Sequence, residues 1–346
     1  MRYGIIPQTP EEEQVFGPGS PLVPAIDLTM PMLQTRSIMA AVRLGLFEAL
    51  RDRPRTASEI ATDLNLDAIS VELVLRVLCS TGYVTTTGPR YDLTPRARSS
   101  LIRGAVVPFV GLAEFNYSQW DMTSQLEQVV RTGDGIDFHG TEKDPAAWAA
   151  YQRAMLEFAG FEAPLVAPLV PVKDGARRML EIGGAHGLIG AEVCRLHPEL
   201  TSVVLDLPPA VEHARGLARE AGIDNVVTHR AGNALTDDLG TDYDAILCTN
   251  VLHHFSATQN TDLIQRARQA LTPGGTIAIV EGEQPAPDDP PDLFIDGFTL
   301  LFRIMSTSRC WTAEEYTGWL NAAGCTDIRV ERPAPGYIVI SGRAGE

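Results

Sequence analysis

The sequence predicts an α/β protein in two parts, a helical part followed by a doubly wound sheet whose last strand is antiparallel. In the second half, short aliphatic runs alternate with helical stretches, as in a parallel sheet covered by helices. Near the end, two further runs flank the tight turn Pro333–Gly336 and can pair only as a hairpin. That hairpin adds an antiparallel strand to the sheet.

Composition excludes several classes of protein. The 346 residues allow two folded units, and 45% hydrophobic with 21% charged residues is typical of a globular protein. The net charge of -16 argues against nucleic acid as a partner. Five cysteines without a CxxC pair suggest neither a disulfide framework nor a zinc ribbon, and no apolar run resembles a signal peptide or membrane span. We expect a cytoplasmic protein with no membrane partner.

The first part is predicted to begin with an extended arm over residues 1–30, which are rich in Pro, Gly and Glu. Residues 31–105 then predict a winged helix-turn-helix. Its elements are a helix over Met32–Leu50, a Thr56–Glu59 capping box with a helix to Leu64, an Asp67-capped helix to Gly82, and strands Tyr83–Thr87 and Arg90–Leu93.

The third of these helices is mostly aliphatic, whereas a DNA-reading helix presents Arg, Lys, Asn or Gln. Its surface is more typical of packing against another subunit. The following region, from residue 106, has helical spacing up to Val172 and a turn-rich stretch at Thr132–Asp144.

The sheet is predicted over residues 176–346, and its first strand, Arg178–Ile182, leads into Gly183 and Gly184. Glycine lets a backbone approach a ligand closely, and the amides of the next helix face the carboxyl edge of the sheet. Ala185 and Leu188 replace the second and third glycines of the dinucleotide motif G-x-G-x-x-G. We therefore expect a ligand-binding turn for something other than a dinucleotide. The other parallel strands are predicted at Ser202–Asp206, Val226–Ala231, Ala245–Asn250 and Thr276–Gly282.

Asp206 ends the second strand. A carboxylate there can accept hydrogen bonds from both hydroxyls of a ribose. Taken alone, Asp206 could also cap the helix that begins with the two following prolines, which is the weaker of the two interpretations. Beside the glycine turn, a nucleoside contact is the stronger interpretation.

Together these motifs resemble the small-molecule O-methyltransferases that use S-adenosylmethionine, including the caffeate and bacterial polyketide enzymes. The resemblance covers nearly everything after Met30. It implies a class I methyltransferase, Rossmann-like sheet behind an all-α winged-helix domain that forms a homodimer. It also implies methyl transfer to a hydroxyl oxygen of a small, aromatic or polyketide-like acceptor, with S-adenosylhomocysteine as the other product.

The resemblance assigns nine positions to the cofactor. An acidic residue precedes the glycines, an Asp-Leu-Pro ends the second strand, the family's Gly-Asp-Met becomes Gly-Asn-Ala, and a position that is commonly Lys becomes Thr. A Leu-Thr-Pro-Gly-Gly turn, Leu271–Gly275, precedes the fifth strand. The nine residues are Glu181, Gly183, Gly184, Asp206, Leu207, Gly232, Asn233, Ala234 and Thr249.

The family's catalytic Leu-His-Asp-Trp corresponds to Leu252–Phe255, which makes His253 the expected general base. Glu281 stands where the family has the carboxylate that orients this histidine, a role that fixes the tautomer. Two positions depart from the pattern: His254 replaces Asp, and Cys310 replaces a second Glu. We expect His254, Phe298, Phe302 and Cys310 to border the acceptor, and no metal, because adjacent histidines rarely chelate one ion.

Alternatives remain open. The departures at His254 and Cys310 suggest a carbon methyltransferase, or a member that uses the same cofactor for hydroxylation, decarboxylation or cyclisation. A winged-helix transcription regulator is a hypothesis of another class. His253 could also be a hydrogen-bonded loop residue, and the aromatic residues of the middle helices could simply fill the core.

Overall fold

The computed structural model describes residues 6–17, 19–306 and 308–345. The chain divides into two compact units, one up to Ser118 and one from Gln119. This division lies after the predicted boundary at residue 105. The helix Val110–Thr123 spans the observed division.

The first unit has the predicted winged-helix elements. The Thr56 hydroxyl accepts from Glu59 N and the Glu59 carboxylate accepts from Thr56 N, which confirms the capping box. Asp67 caps the next helix by accepting from Ser70 N. The helices are α1 Pro10–Phe16, α2 Val23–Arg43, α3 Leu46–Ala49, α4 Ala57–Leu64, α5 Ala68–Ser80 and α6 Pro95–Ser100, and an antiparallel sheet of order β1-β3-β2 contains β1 Arg55–Thr56, β2 Val84–Thr87 and β3 Arg90–Leu93.

The structure corrects the extended arm. Within its described part, α1 and the start of α2 are helical, while residues 1–5 and 18 lie outside the described residues. The Thr9 hydroxyl caps α1, and three glutamates in its first turn interact favourably with the helix dipole. The single helix predicted for Met32–Leu50 is also wrong, because Gly45 adopts a left-handed conformation between α2 and α3.

In the second unit, helices precede and flank a seven-stranded sheet. Its strand order is β6-β5-β4-β7-β8-β10-β9, with β10 antiparallel to both neighbours, so the predicted fold is confirmed. The strands are β4 Arg178–Ile182, β5 Thr201–Asp206, β6 Val227–Ala231, β7 Tyr243–Thr249, β8 Leu271–Gly282, β9 Cys325–Ala334 and β10 Tyr337–Ala344. The helices are α7 Val110–Thr123, which begins in the first unit, α8 Leu126–Thr132, α9 Phe138–Thr141, α10 Pro145–Val166, α11 Leu188–Leu196, α12 Pro208–Glu220, α13 Ala257–Ala270, α14 Leu293–Met305 and α15 Ala313–Ala322.

One local feature of the sheet differs from the prediction. Leu271–Gly275, expected as a turn before the strand, forms the irregular start of β8. Leu271 pairs with Tyr243 and Thr276 with Ala245, so the extra residues on β8 produce a register shift. In the part of the chain that the structure describes, no helix is both long and apolar enough to cross a membrane.

Candidate functional site

Two positions in the turn after β4, Gly183 and Gly184, leave no space for a side chain. Gly183 has φ +72°, and a β-carbon on it would lie 2.6 Å from Val251 Cβ. A β-carbon on Gly184 would lie 2.4 Å from the carboxyl carbon of Glu181. Side chains at either glycine would therefore force the turn away from the neighbouring strand ends.

His186, the histidine inside this turn, is buried and serves the turn itself. Its Nδ1 accepts from Leu188 N at 3.1 Å. Burial lowers the pKa of His186 to about 4, so the ring is neutral near pH 7. A neutral, enclosed ring that bonds the first residue of α11 stabilises the local backbone.

Asp206 lies next to the glycine turn. Its Oδ2 accepts from Ala185 N at 2.9 Å, and its Oδ1 accepts from Leu207 N at 2.7 Å. Each carboxylate oxygen still has a free lone pair, and the residue is only half-buried. Burial raises the pKa of Asp206 to about 6, although the two backbone hydrogen bonds oppose the shift. Asp206 is thus positioned to accept further hydrogen bonds at the carboxyl edge of the sheet.

The Gly232–Ala234 loop adjoins the same edge. Gly232 N donates to the backbone oxygen of Asp206 at 2.9 Å. Asn233 is exposed, and its Oδ1 accepts from Leu235 N at 2.9 Å, which forms an Asx turn. The side-chain amide of Asn233 therefore faces solvent beside Asp206's strand.

Glu181 and Thr249 lie beneath the glycine turn rather than in the open. Both are buried, and Thr249 Oγ1 donates to Glu181 Oε1 at 3.4 Å. Glu181 Oε2 has no hydrogen-bond partner among the described residues. Burial raises the pKa of Glu181 to about 8. The pair supplies an enclosed acidic group directly under the backbone of the turn.

His253 and Glu281 form the most tightly organised part of the site. His253 Nδ1 and Glu281 Oε2 are 2.7 Å apart, and both side chains are almost fully buried. The other carboxylate oxygen accepts from Val251 N at 2.7 Å and from Leu252 N at 2.6 Å. One carboxylate therefore fixes both the ring and the short turn that carries it. No described residue bonds the opposite ring nitrogen, Nε2.

Aromatic rings surround His253. Phe302 stacks on it with ring centroids 4.0 Å apart, and Phe298 lies 6.2 Å from Phe302. On another side, the rings of His253 and His254 are 4.1 Å apart, and His139 is 4.3 Å from His254. The structure thus brings together the predicted acceptor residues on α14 and His254 beside His253.

Cys310 lies beside the end of β8, the strand that carries Glu281. Its sulfur lies 3.2 Å from the position of a β-carbon on Gly282, which directly follows Glu281. Burial raises the pKa of the Cys310 thiol to about 12, so it is neutral. It therefore cannot replace the charge of the family's second glutamate.

Sequence reasoning missed several side chains of this region. Asn250 has a left-handed φ of +48°, and its Nδ2 donates to both oxygens of the buried Glu162, at 3.0 and 3.2 Å. Tyr337 OH donates to Asn250 Oδ1 at 3.4 Å. Burial raises the pKa of Glu162 to about 7. The sequence did contain a signal for Asn250, because a polar residue directly after a strand often lies in a site. It contained none for Glu162 on α10, because helical spacing does not indicate which residues approach the sheet.

The residues at this edge fit a nucleoside. Asp206 has a free lone pair on each carboxylate oxygen, the glycine turn keeps side chains out of the way, and the carboxyl group of Glu181 lies enclosed beneath that turn. Metal-ligand clusters of three or more His, Cys, Asp or Glu side chains were not found among the described residues. Fold and site together define a nucleoside-binding α/β enzyme with an imidazole beside its ligand edge.

Comparison with known proteins agrees with this class. Residues 122–326 match the O-methyltransferase domain family, and residues 27–103 match the O-methyltransferase dimerisation domain. The 3-hydroxy-5-methyl-1-naphthoate 3-O-methyltransferase of Streptomyces sahachiroi is 29% identical over 322 residues, which cover 88% of this chain and 90% of the relative. The N,N-dimethyltransferase OxyT of Streptomyces rimosus is 30% identical over 317 residues, covering 89% and 91%.

A solved structure of human N-acetylserotonin methyltransferase with S-adenosylmethionine has a TM-score of 0.82 at 20% identity, covering 93% of this chain and 97% of that one. This likeness shows a shared fold. The matched domain spans more than half of the chain, so the chain belongs to the O-methyltransferase family. By class it is an S-adenosylmethionine-dependent O-methyltransferase, and the regulator hypothesis no longer applies.

Proposed function

We propose that the enzyme methylates a hydroxyl oxygen of a small aromatic or polyketide-like molecule, with His253 as the general base. The observation that carries this proposal is the His253–Glu281 pair. Glu281 bonds Nδ1 at 2.7 Å and is itself held by two backbone amides. This arrangement leaves Nε2 as the nitrogen that can accept a proton.

The chemistry requires such a base. A phenol with a pKa near 10 is a poor nucleophile until its proton leaves. A neutral imidazole can remove that proton, which typically contributes about 10²- to 10⁴-fold to the rate. When bound, S-adenosylmethionine supplies an electrophilic methyl group on a positively charged sulfur. Glu281 stabilises the imidazolium that forms and keeps its ring oriented.

We propose binding roles for the cofactor that rest on the family resemblance and that the geometry of the edge supports. We assign the ribose hydroxyls to Asp206, backbone contacts to Gly183 and Gly184, and the adenine amine to the side-chain oxygen of Asn233. Leu207, Gly232 and Ala234 complete this wall through their backbone. Glu181, supported by Thr249, lies enclosed beneath the glycine turn and holds the backbone of that turn in place for the cofactor.

An aromatic acceptor fits the rings beside the base. Phe302 stacks on His253, and Phe298 continues the apolar wall along α14. The Streptomyces sahachiroi relative is named for a naphthoate acceptor. His254 and Cys310 border this wall and are neutral, so they can accommodate an uncharged ring system.

A homodimer is supported by the dimerisation-domain match and by exposed apolar side chains in the first unit. On α5, Ile69 is 71% exposed and Leu73 is 60% exposed. Leu28 on α2 is 79% exposed. Surfaces of this kind usually mark protein contacts.

The cysteines bear on location. Cys79, Cys194, Cys248, Cys310 and Cys325 are free thiols. Free thiols are typical of reducing compartments. We therefore keep the cytoplasm as the proposed location.

The direct test uses methyl-labelled S-adenosylmethionine with a panel of hydroxylated naphthalenes and hydroxynaphthoates. We expect label on an acceptor oxygen, and a loss of about 10²- to 10⁴-fold in kcat for His253→Ala with unchanged cofactor affinity by calorimetry. Unchanged turnover in this variant would remove His253 from the base role. Label on a nitrogen or a carbon, or label that stays on the cofactor, would contradict O-methylation and favour one of the alternatives.

A further inference from the structure

We propose that His254 and His139 form a second recognition point, which binds an oxygen substituent next to the hydroxyl that His253 deprotonates. The acceptor would then be an aromatic molecule with two oxygens on adjacent ring carbons, or on facing carbons of fused rings. This inference rests on the proposed function and specifies its substrate class.

The two imidazoles extend directly from the base. The ring centroid of His254 is 4.1 Å from that of His253 and 4.3 Å from that of His139. His139 Nε2 is hydrogen-bonded to the Tyr151 hydroxyl at 3.0 Å. Since Tyr151 lies on α10 and His139 on α9, the far end of this row is fixed by two elements.

His254 has an unused polar atom. Its Nδ1 is enclosed and has no hydrogen-bond partner among the described residues. An enclosed ring nitrogen without a partner is unfavourable, so such atoms usually find a ligand or an ordered water. The atom belongs to the residue next to the base, where an acceptor must bind.

The chemistry of the partner follows from charge. Burial and the neighbouring His253 lower the pKa of His254 well below its ordinary value, and burial lowers the pKa of His139 to about 4. Both rings therefore stay neutral when His253 takes up a proton. A neutral imidazole can accept from a hydroxyl or donate to a carbonyl, so an oxygen substituent of either kind would satisfy it.

The surrounding rings restrict where such an acceptor lies. Phe302 stacks on His253 with an interplanar angle of 29°, and His254 packs against the same imidazole at 56°. Because these two neighbours flank the ring of His253, the acceptor hydroxyl would approach that ring at its Nε2 edge. A second oxygen on the neighbouring carbon would then be close to His254.

The test compares binding of 2,3-dihydroxynaphthalene and 2-naphthol to the full-length enzyme saturated with S-adenosylhomocysteine, by calorimetry. In the wild type we expect the diol to bind about tenfold more tightly, the usual effect of one hydrogen bond. His254→Phe keeps an aromatic ring and should abolish the preference, while His254→Asn should restore part of it. His139→Phe should weaken the preference without abolishing it.

A second readout needs no variant. In ¹⁵N spectra of the wild type, the diol should shift the His254 ring nitrogens and 2-naphthol should not. Equal affinity for the two compounds, binding of neither, or a preference that survives in His254→Phe would overturn the inference. A preserved binding preference without methyl transfer would instead contradict the proposed function and leave this recognition point intact.

Discussion

Replacing Glu281 with Gln tests the proposal that this carboxylate keeps His253 in the form that acts as the base. Glu281 Oε1 accepts two backbone amides, from Val251 and Leu252, and Oε2 accepts from His253 Nδ1. Glutamine has the same size and one carbonyl oxygen. If that oxygen keeps the two backbone bonds, the amide nitrogen must face Nδ1.

The consequence is a change of tautomer. The side-chain amide donates, so Nδ1 must become the acceptor and the ring proton moves to Nε2. A protonated Nε2 cannot take the proton of a phenol. We expect kcat to fall by about 10³- to 10⁴-fold, which corresponds to about 4 to 5.5 kcal/mol in activation free energy. Cofactor affinity should stay near that of the wild type.

The assay uses two acceptors of similar shape, a phenol with a pKa near 10 and a nitro-substituted phenol that is ionised at neutral pH. The variant should lose most of its activity on the first acceptor and much less on the second, because an ionised acceptor needs no base. Glu281→Ala serves as the structural comparison, since it leaves two buried amides unpaired and should lower Tm. Equal losses on both acceptors with an unchanged Tm would refute the tautomer argument.

Three further predictions follow from the site and the first unit. Asp206→Ala should weaken binding of S-adenosylmethionine at least about tenfold by calorimetry without unfolding the chain, since hydrogen bonds to a charged group are strong; undiminished affinity would contradict the ribose assignment. Because burial raises the pKa of Asp206 to about 6, cofactor affinity should rise about tenfold between pH 5 and pH 7 as the carboxyl ionises. An affinity that does not change with pH would exclude Asp206 from cofactor binding. The same shift makes its contribution to stability decline as pH rises from 3.8 to about 6. Ile69→Asp combined with Leu73→Asp should halve the mass measured by light scattering, with Glu72→Gln as the control; a mass unchanged from the control would place the dimer contact elsewhere.

The sheet could be predicted because its strands are continuous aliphatic runs. Arg178–Ile182 matches the observed strand at both ends, and the other parallel strands were placed within a few residues. The start of β8 was not, because Leu271–Gly275 contains turn residues. Only its pairing with Tyr243 draws this segment into the sheet. Pairing partners are decided by tertiary contacts that spacing does not encode.

The N-terminal helix had a local signal that composition obscured. Thr9 followed by Pro10 and three glutamates is a favourable helix start, with a capping hydroxyl, a proline at the first turn and acidic residues near the positive end. The prediction from composition gave more weight to the surrounding Pro and Gly residues than to this helix start, and therefore favoured an extended arm. Pro31 likewise favoured an extended arm in the prediction, although it lies inside α2 in the structure.

Within the site, strand-end positions were predictable and helix positions were not. His253, Glu281 and Asp206 follow or end parallel strands, whose carboxyl ends meet at one edge whatever the loops do. His139 and Glu162 come from α9 and α10. Their approach to this edge depends on how those helices pack, which hydrophobic periodicity does not specify.

If His253 is the base, as we propose, a single carboxylate suffices for it because of the groups that pack around its ring. The groups packed around His253 are uncharged: Phe302 on one face, the neutral ring of His254 beside it, and the Cys310 thiol near Glu281. An imidazolium formed there has Glu281 as its bonded anion, at 2.7 Å in a buried setting where such an interaction is strong. Cys310 is neutral where the resemblance places a second glutamate, and Glu281 is the carboxylate that bonds the ring of His253. Its two backbone amides hold that carboxylate in place, so the geometry of the base is determined by the same turn that carries it.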